Sequence, residues 1–325
     1  MKRRFLAVTG AGFVAACLAA APAFAFTPDR TIEFMVHTGP GAGSDIFARG
    51  VAGMLEKNQL VPQRIAVINK AGGGGLVGMT YLGEKKGDTH LIACFTSVWY
   101  VNPMIRKGAK FSMAELTPIA RLILEPSVLT VRADSPFKNA NDFIAAAKKN
   151  PGKLKQSGGS ISGRDNNTRL VIQKATGAEW QFISMKSGGE RVAALLGGHV
   201  DIYIMEPAEA LEQIRAGKIR VIATLMNNRI AGLPDVPTLG EQGIKVPEIP
   251  QPRGMVGPPA MPADVKAYWE QVLGKLVKTQ DWQEYLKKDH LQDGFLIGAD
   301  LAKFSKEYTT LMRGILKEAG VKLVK

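Results

Sequence analysis

Two glycine-rich stretches carry backbone chemistry suited to an anion. Thr38-Gly39-Pro40-Gly41-Ala42-Gly43-Ser44-Asp45 follows a short apolar run, Ile32–Val36, and leads into residues whose apolar positions recur at helical spacing. A strand, such a loop and a helix opened by Ser44 and Asp45 would present unpaired N–H groups beside a helix N-terminus. The partial positive charge there favours a carboxylate or phosphate. Ile65–Ile68, Ala71-Gly72-Gly73-Gly74-Gly75 and Leu76–Leu82 repeat the arrangement, so two anion-ready loops from neighbouring strands predict a pocket.

A third loop adds side chains. In Ser157-Gly158-Gly159-Ser160-Ile161-Ser162-Gly163-Arg164-Asp165-Asn166-Asn167-Thr168, hydroxyls, glycine amides and one guanidinium converge before a helical segment. That set can hold a second acidic group; the plainer alternative is a polar turn capped by Asp165 and Asn166. Ser184-Met185-Lys186-Ser187-Gly188-Gly189-Glu190 is a similar strand-to-helix loop. Ser97, at the end of the strand His90–Phe95, joins the candidate ligand contacts. Glu206 and Glu209 could meet an amine or hydroxyl, and the blander account makes them solvated or helix-opening residues. Trp99 and Tyr100 could stack on an aromatic solute, but a core or rim role is the plainer reading.

Enzyme signatures mostly fail. His37, His90, His199 and His290 lack metal-ligand spacing, and no cysteine cluster supports them. Ser160 lacks the final glycine of a nucleophile elbow, and no Gly-Lys-Ser/Thr phosphate loop is present. Gly73-Gly74-Gly75-Leu76-Val77-Gly78 has dinucleotide-loop spacing, yet the next strand ends at Phe95-Thr96-Ser97 with no acid for a ribose. No catalytic residue, metal or cofactor is expected.

These loops need strands and helices to hold them. Strand-like and helix-like segments mostly alternate, which predicts an α/β fold of parallel-rich sheets covered by helices. Strands are expected at Ile119–Leu124, Val128–Val131, Ile202–Met205 and Ile219–Thr224, besides those before the loops. Asn141 and Asp142 read as the start of a helix ending before Pro151-Gly152. A helix is also expected over Glu206–Ala216. The Pro/Gly-rich stretch 232–262 precedes a C-terminal segment read as three amphipathic helices without strands, which must pack back on the first half. The expected layout is a discontinuous lobe, 26–126 plus 250–325, and an inserted lobe, 127–249, with the ligand cleft between them.

Residues 1–25 read as an address. Lys2, Arg3 and Arg4 precede an apolar stretch, and Ala23-Phe24-Ala25 supplies a small-x-small cleavage pattern, so a signal peptide cut after about Ala25 is expected. Lipid anchoring at Cys17 is the weaker option. No later stretch approaches the roughly 20 apolar residues of a membrane helix. Losing the leader lowers the formal net charge of +13 by three. The basic residues are scattered, which suits an acidic solute but not nucleic acid. Cys94 would be the single cysteine left, excluding an internal disulfide, so stability must come from a large core in a chain that is 46% hydrophobic.

The order of these motifs resembles the tripartite tricarboxylate transporter receptors, the Bug-type periplasmic solute-binding proteins. The resemblance runs nearly end to end through Gly39–Asp45, Asn69–Gly75, Gly158-Gly159-Ser160, Lys174–Gly177, Lys186–Glu190, Leu196–Asp201, Ala216–Arg220 and Asp235–Thr238. It implies a two-lobed, type II-like periplasmic binding protein that closes on a small carboxylate and serves an integral membrane permease as a monomer. One carboxylate would be gripped by Thr38–Asp45 and Ala71–Gly75, and the rest of the ligand would meet Ser160, Ser162, Arg164, Asp165 and Ser184. Met205-Glu206-Pro207 departs from the family's Asn-Asn-Pro, so the distal ligand group need not be a plain carboxylate. The alternatives are an exported hydrolase using Ser160 or Ser184, and a carboxylate sensor or orphan scavenger without a permease.

Overall fold

Apolar side chains of β1 (Ile32–Val36) alternate between two cores, with Ile32, Phe34 and Val36 on one face and Met35 on the other. Such two-sided burial is expected of a strand covered by helices on both faces. In this computed structural model, which describes residues 26–324, the expected leader with Cys17 lies outside the described residues. The chain continues through α1 (Gly43–Lys57), β2 (Ile65–Asn69), α2 (Leu76–Gly83), β3 (Leu91–Phe95), α3 (Ser97–Ile105) and β4 (Thr117–Glu125). It then crosses into β5 (Val128–Arg132), α4 (Ala140–Lys149), β6 (Lys155–Gly158), α5 (Arg164–Thr176), β7 (Gln181–Ser184), α6 (Gly188–Leu196) and β8 (Ile202–Met205). A 3-10 turn at Pro207–Ala210, α7 (Leu211–Arg215) and β9 (Ile219–Thr224) follow. The last part holds β10 (Gln251–Gly257), α8 (Ala263–Leu276), α9 (Gln280–Lys288), β11 (Gln292–Ile297) and α10 (Gly298–Glu318).

The strands form two sheets. In the first, ordered β11-β4-β10-β3-β1-β2, β1 pairs in parallel with β2 and β3, while β10 runs antiparallel between β3 and β4. The second is ordered β7-β6-β8-β5-β9, with β6 parallel to β7 and β8 and β5 antiparallel to β8 and β9. We call these sheets and their helices lobe 1 and lobe 2. One face of the first sheet packs on α1, α8 and α9 through Phe47, Leu55, Trp269 and Trp282. Its other face packs on α2, α3 and α10 through Met79, Trp99, Tyr308 and Met312. Lobe 2 has its own two cores, around Phe143 and Trp180 and around Leu195 and Tyr203. Cys94 is buried in lobe 1, and burial pushes its thiol up to about 12, which leaves it inert.

Several elements differ from the sequence reading. The C-terminal segment is not purely helical, because β11 pairs along the edge of the first sheet, with an irregularity between Asp293 and Leu296. β10 lies inside the stretch read as a boundary. Pro252 is tolerated because β3 pairs only with Gly254–Val256, so the strand has a neighbour on one side at the proline. α3 escaped notice because all residues from Ser97 to Met104 are buried, leaving no polar face for periodicity to reveal. Trp99 and Tyr100 lie within it, 0% and 4% exposed, and belong to the core. The cap of α4 is Asn139, whose side chain accepts from Asp142 N–H, rather than Asn141 or Asp142. The helix expected over Glu206–Ala216 divides into the 3-10 turn and α7.

Candidate functional site

The carboxyl ends of β1, β3 and β8 and the loops after β2, β6 and β7 converge on one cavity of about 320 Å³ between the lobes. Its lobe 1 wall includes Thr38, Ala42, Gly43 and Ser44 from the first glycine loop and Gly72, Gly73 and Gly74 from the second. Ser97 joins them at the start of α3. Lobe 2 contributes Ser160, Arg164, Asp165, Ser184 and Glu206. Among the sequence-selected residues, Gly39, Pro40, Gly41, Asp45 and Ser162 are not in this lining, and Pro40 and Gly41 are exposed. Ser162 Oγ lies 2.8 Å from Ser160 Oγ.

The first glycine loop is filled by groups of the protein itself. Gly41 N–H donates to Asp45 Oδ2 at 3.0 Å, and Gly43 N–H donates to Glu209 Oε1 at 2.7 Å. Gly39 N–H donates across the cleft to Lys186 O at 3.2 Å, and Ala42 N–H bonds Gly39 O. Burial disfavours the Asp45 anion, but bonds from Arg49, Asn69 and Gly41 N–H outweigh it and hold the carboxyl below its ordinary value. The carboxylate of Glu209 comes from lobe 2, so the N-terminus of α1 already has an anion on it.

The second loop keeps a different geometry. Gly72, Gly73, Gly74 and Gly75 all have positive φ, including +64° at Gly74, which L side chains rarely adopt. A Cβ on Gly74 would collide with Ser160 Oγ and sit 2.7 Å from Arg106 Nη2. The carbonyls of this loop are held by Asn102, which donates to Gly74 O at 3.0 Å, and by Arg106, which donates to Gly73 O at 3.1 Å. Next to it, α3 presents its first turn to the cavity through Thr96, Ser97 and Val98. Thr38 Oγ1 is buried and has no hydrogen-bond partner among the described residues, and the buried Ser97 hydroxyl lies beside the Tyr308 hydroxyl.

His37 completes this wall without acting as a base. Its Nδ1 accepts from Trp99 Nε1 at 3.1 Å, and burial followed by the charge of Arg253 lowers its pKa to about 3. The imidazole is therefore neutral and serves as an acceptor that orients α3. Ser160 Oγ bonds Ser162 and Gly74 O, and Ser184 Oγ donates to Gly159 O at 2.7 Å. Neither serine bonds a histidine or a carboxylate among the described residues. Those residues also hold no cluster of three or more potential metal ligands, and none of their helices is long and apolar enough to cross a membrane.

The floor of the cavity is a buried ionic cluster. Arg253 on β10 pairs with Glu125 and donates to Ser44 Oγ at 2.7 Å, with Glu206 Oε1 at 3.6 Å. Arg164 donates to Glu125 O, Pro126 O and, at 2.7 Å, Glu206 Oε1. Arg191 meets Glu209 at 3.2 Å, and Tyr203 OH donates to the other Glu209 oxygen. Burial pushes Glu125 and Glu209 upward, against the pull of Arg253 and Arg191 respectively. At Glu206 burial also opposes ionisation, but Arg164, Arg253 and Arg191 outweigh it and hold the carboxyl low. Asp165 is buried up to about 6 even though Gly159 N–H donates to it at 2.7 Å.

Sequence reasoning missed Arg253, Gln251, Arg191 and His37 as cavity residues, and its plainer account of Glu209 as a solvated or helix-opening residue gives way to a buried acid in the lining. Arg253 and Gln251 were hidden with β10 among prolines and glycines. Arg191 reads like any charge on an amphipathic helix. A histidine directly after the first strand was the one available signal, and it was dismissed for lack of metal spacing.

Two sheets, each with helices on both faces, and a cavity at the strand ends between them define a two-lobed solute-binding architecture. The model of the tripartite tricarboxylate transporter family receptor matches residues 47–321, and the chain belongs to that family. BugT of Bordetella pertussis is 31% identical over 244 residues, covering 74% of each chain. Among solved structures, the periplasmic binding protein BugD superposes with a TM-score of 0.84 at 24% identity, covering 91% of this chain and 99% of that one. The R. palustris protein Rpa4515, solved with adipate, has a TM-score of 0.85 at 19% identity, covering 90% and 98%.

Proposed function

We propose that this chain is a periplasmic receptor that captures a small carboxylic acid between its lobes and delivers it, as a monomer, to an integral membrane permease. Residues 1–25 would direct export and be removed. The observation that carries the reading is the wall formed by α3 and the second glycine loop. There a helix N-terminus, glycine backbone, Ser97 and Thr38, whose buried hydroxyl is unpartnered among the described residues, line one cavity. A carboxylate placed there gains the helix dipole and charge-assisted hydrogen bonds in a site screened from water. Family membership supports it, as does adipate in a protein of the same fold.

Capture is a shift between open and closed arrangements. Gly39 to Lys186, Gly43 to Glu209, Gly74 to Ser160 and Arg253 to Glu206 join the lobes across the cleft. The approach is close enough that a Cβ on Gly188 would collide with Gly41 O. A solute touching both walls binds this arrangement better than an open one, and only that difference can shift the population. No step forms or breaks a covalent bond, so no hydrolytic role is assigned to Ser160 or Ser184. A thermal-shift screen of mono-, di- and tricarboxylic acids should raise the melting temperature with at least one acid. Stabilisation by neutral sugars or simple amines alone would overturn the reading.

A further inference from the structure

The ionic floor of the cavity carries information about the other end of the solute. Three guanidiniums reach this floor, and each already holds a glutamate: Arg253 with Glu125, Arg164 with Glu206, and Arg191 with Glu209. A second ligand carboxylate arriving here would lie beside Glu206 and Glu209 and compete with them for the same cations. Like charges that close repel strongly where water is scarce.

Acceptors, by contrast, are available. Glu206 Oε1 takes Arg164 and approaches Arg253, while Glu206 Oε2 lies toward Gly43 at the start of α1; besides these arginines the carboxyl meets Glu206's own backbone N–H, and its side chain stays 12% exposed. The neighbouring arginines keep this carboxylate ionised. Gln251, only 7% exposed, lines the same cavity, and its Oε1 has no partner among the described residues. A buried acceptor left unsatisfied costs about 1–3 kcal/mol. A group that donates to it recovers that cost, and a group that can only accept, such as a carboxylate, does not.

We propose that Glu206 Oε2 and Gln251 Oε1 form an acceptor pair that selects a carboxylic acid bearing a hydrogen-bond donor, a hydroxyl or an ammonium, over a plain diacid of equal length. The proposal rests on the carboxylate reading above and adds the chemistry of the distal group. Glu206 is then the specificity-determining residue.

Titration calorimetry of the full mature chain at pH 7 tests this with matched acids. 4-Hydroxybutyrate and 4-aminobutyrate are compared with succinate and butyrate, and 6-hydroxyhexanoate and 6-aminohexanoate with adipate and hexanoate. At one chain length or the other, a donor-bearing acid should bind about tenfold tighter than its diacid, as a hydrogen bond to a charged group predicts. The hydroxy and amino arms identify which donor is read. Glu206→Gln removes the charge and releases Arg164, and it should erase or invert the ratio. Should that variant not fold, the wild-type ratio decides alone. Diacids binding as tightly as their donor-bearing partners, or a ratio unchanged in E206Q, would overturn the proposal and leave carboxylate capture intact. Failure of every acid to bind would remove both.

Discussion

Among the helix N-termini that lobe 1 brings to the cleft, those of α1 and α3 meet opposite fates. α1 follows the more conspicuous loop, Thr38–Asp45, yet its amides are met by the protein's own carboxylates, Asp45 from one turn in and Glu209 from lobe 2. α3 follows the plainer Phe95-Thr96-Ser97, and it turns Ser97 and Val98 to the cavity beside an unpartnered hydroxyl. The two termini have the same dipole and similar surroundings in the chain. What separates them is what lobe 2 places opposite. An N-terminus is therefore an anion seat for a solute only where no side chain of the protein has claimed it first. The first is better described as a socket in which lobe 2 docks.

The largest effect should come from emptying that socket. Glu209→Ala strands Arg191, 9% exposed at its side chain, and removes the partner of Gly43 N–H. Breaking a buried pair from one side costs about 3–5 kcal/mol. Denaturant unfolding should show that loss, and added acetate should restore part of it by seating at α1. Wild-type stability in the variant, or indifference to acetate, would contradict the docking role of Glu209.

Gly74→Val should act on the other wall. The left-handed backbone disfavours a β-branched residue, a strain on the order of 1–3 kcal/mol, and its Cβ meets Ser160 across the cleft. Affinity for any acid that stabilises the wild type should fall by about tenfold or more, the equivalent of about 1.4 kcal/mol or above, as read by calorimetry. Unaltered affinity would show that the second loop does not have to approach lobe 2 for capture.

The smallest expected change isolates α3. Ser97→Ala removes one buried hydroxyl at the start of α3 whose protein neighbour is Tyr308, a residue also held by Pro250 O, so the melting temperature should fall only slightly. A lost hydrogen bond to the solute is worth about 0.5–1.5 kcal/mol, hence a severalfold weaker affinity. If instead stability drops sharply while affinity holds, Ser97 is packing, and the seat belongs elsewhere.

Much of the scaffold was legible because it rests on local signals. The runs Ile32–Val36 and Ile202–Met205 carry the composition of buried strands, and Gly72–Gly75 announces a backbone that other residues cannot adopt. β10 was not legible, since its proline and glycine are tolerated only where β3 stops pairing with it. α3 was hidden by burial on every side. Glu206 and Glu209 could be flagged as acids near the end of a strand, but nothing local reveals that one plugs a helix in the other lobe while its neighbour keeps an oxygen facing the cavity.

The chain's own pattern thus determined the alternation of strands and helices, the glycine loops at strand ends, and the family to which they point. Periodicity and backbone permissiveness are properties of a few consecutive residues, so they survive in the bare sequence. Tertiary structure alone decided which N-terminus faces a solute, because that depends on carboxylates and guanidiniums brought together from β4, α5, α6, β10 and the turn after β8. Electrostatic pairing acts through space over a few ångströms, and residues as far apart in the chain as Glu125 and Arg253 become partners only once β4 and β10 have paired in the first sheet.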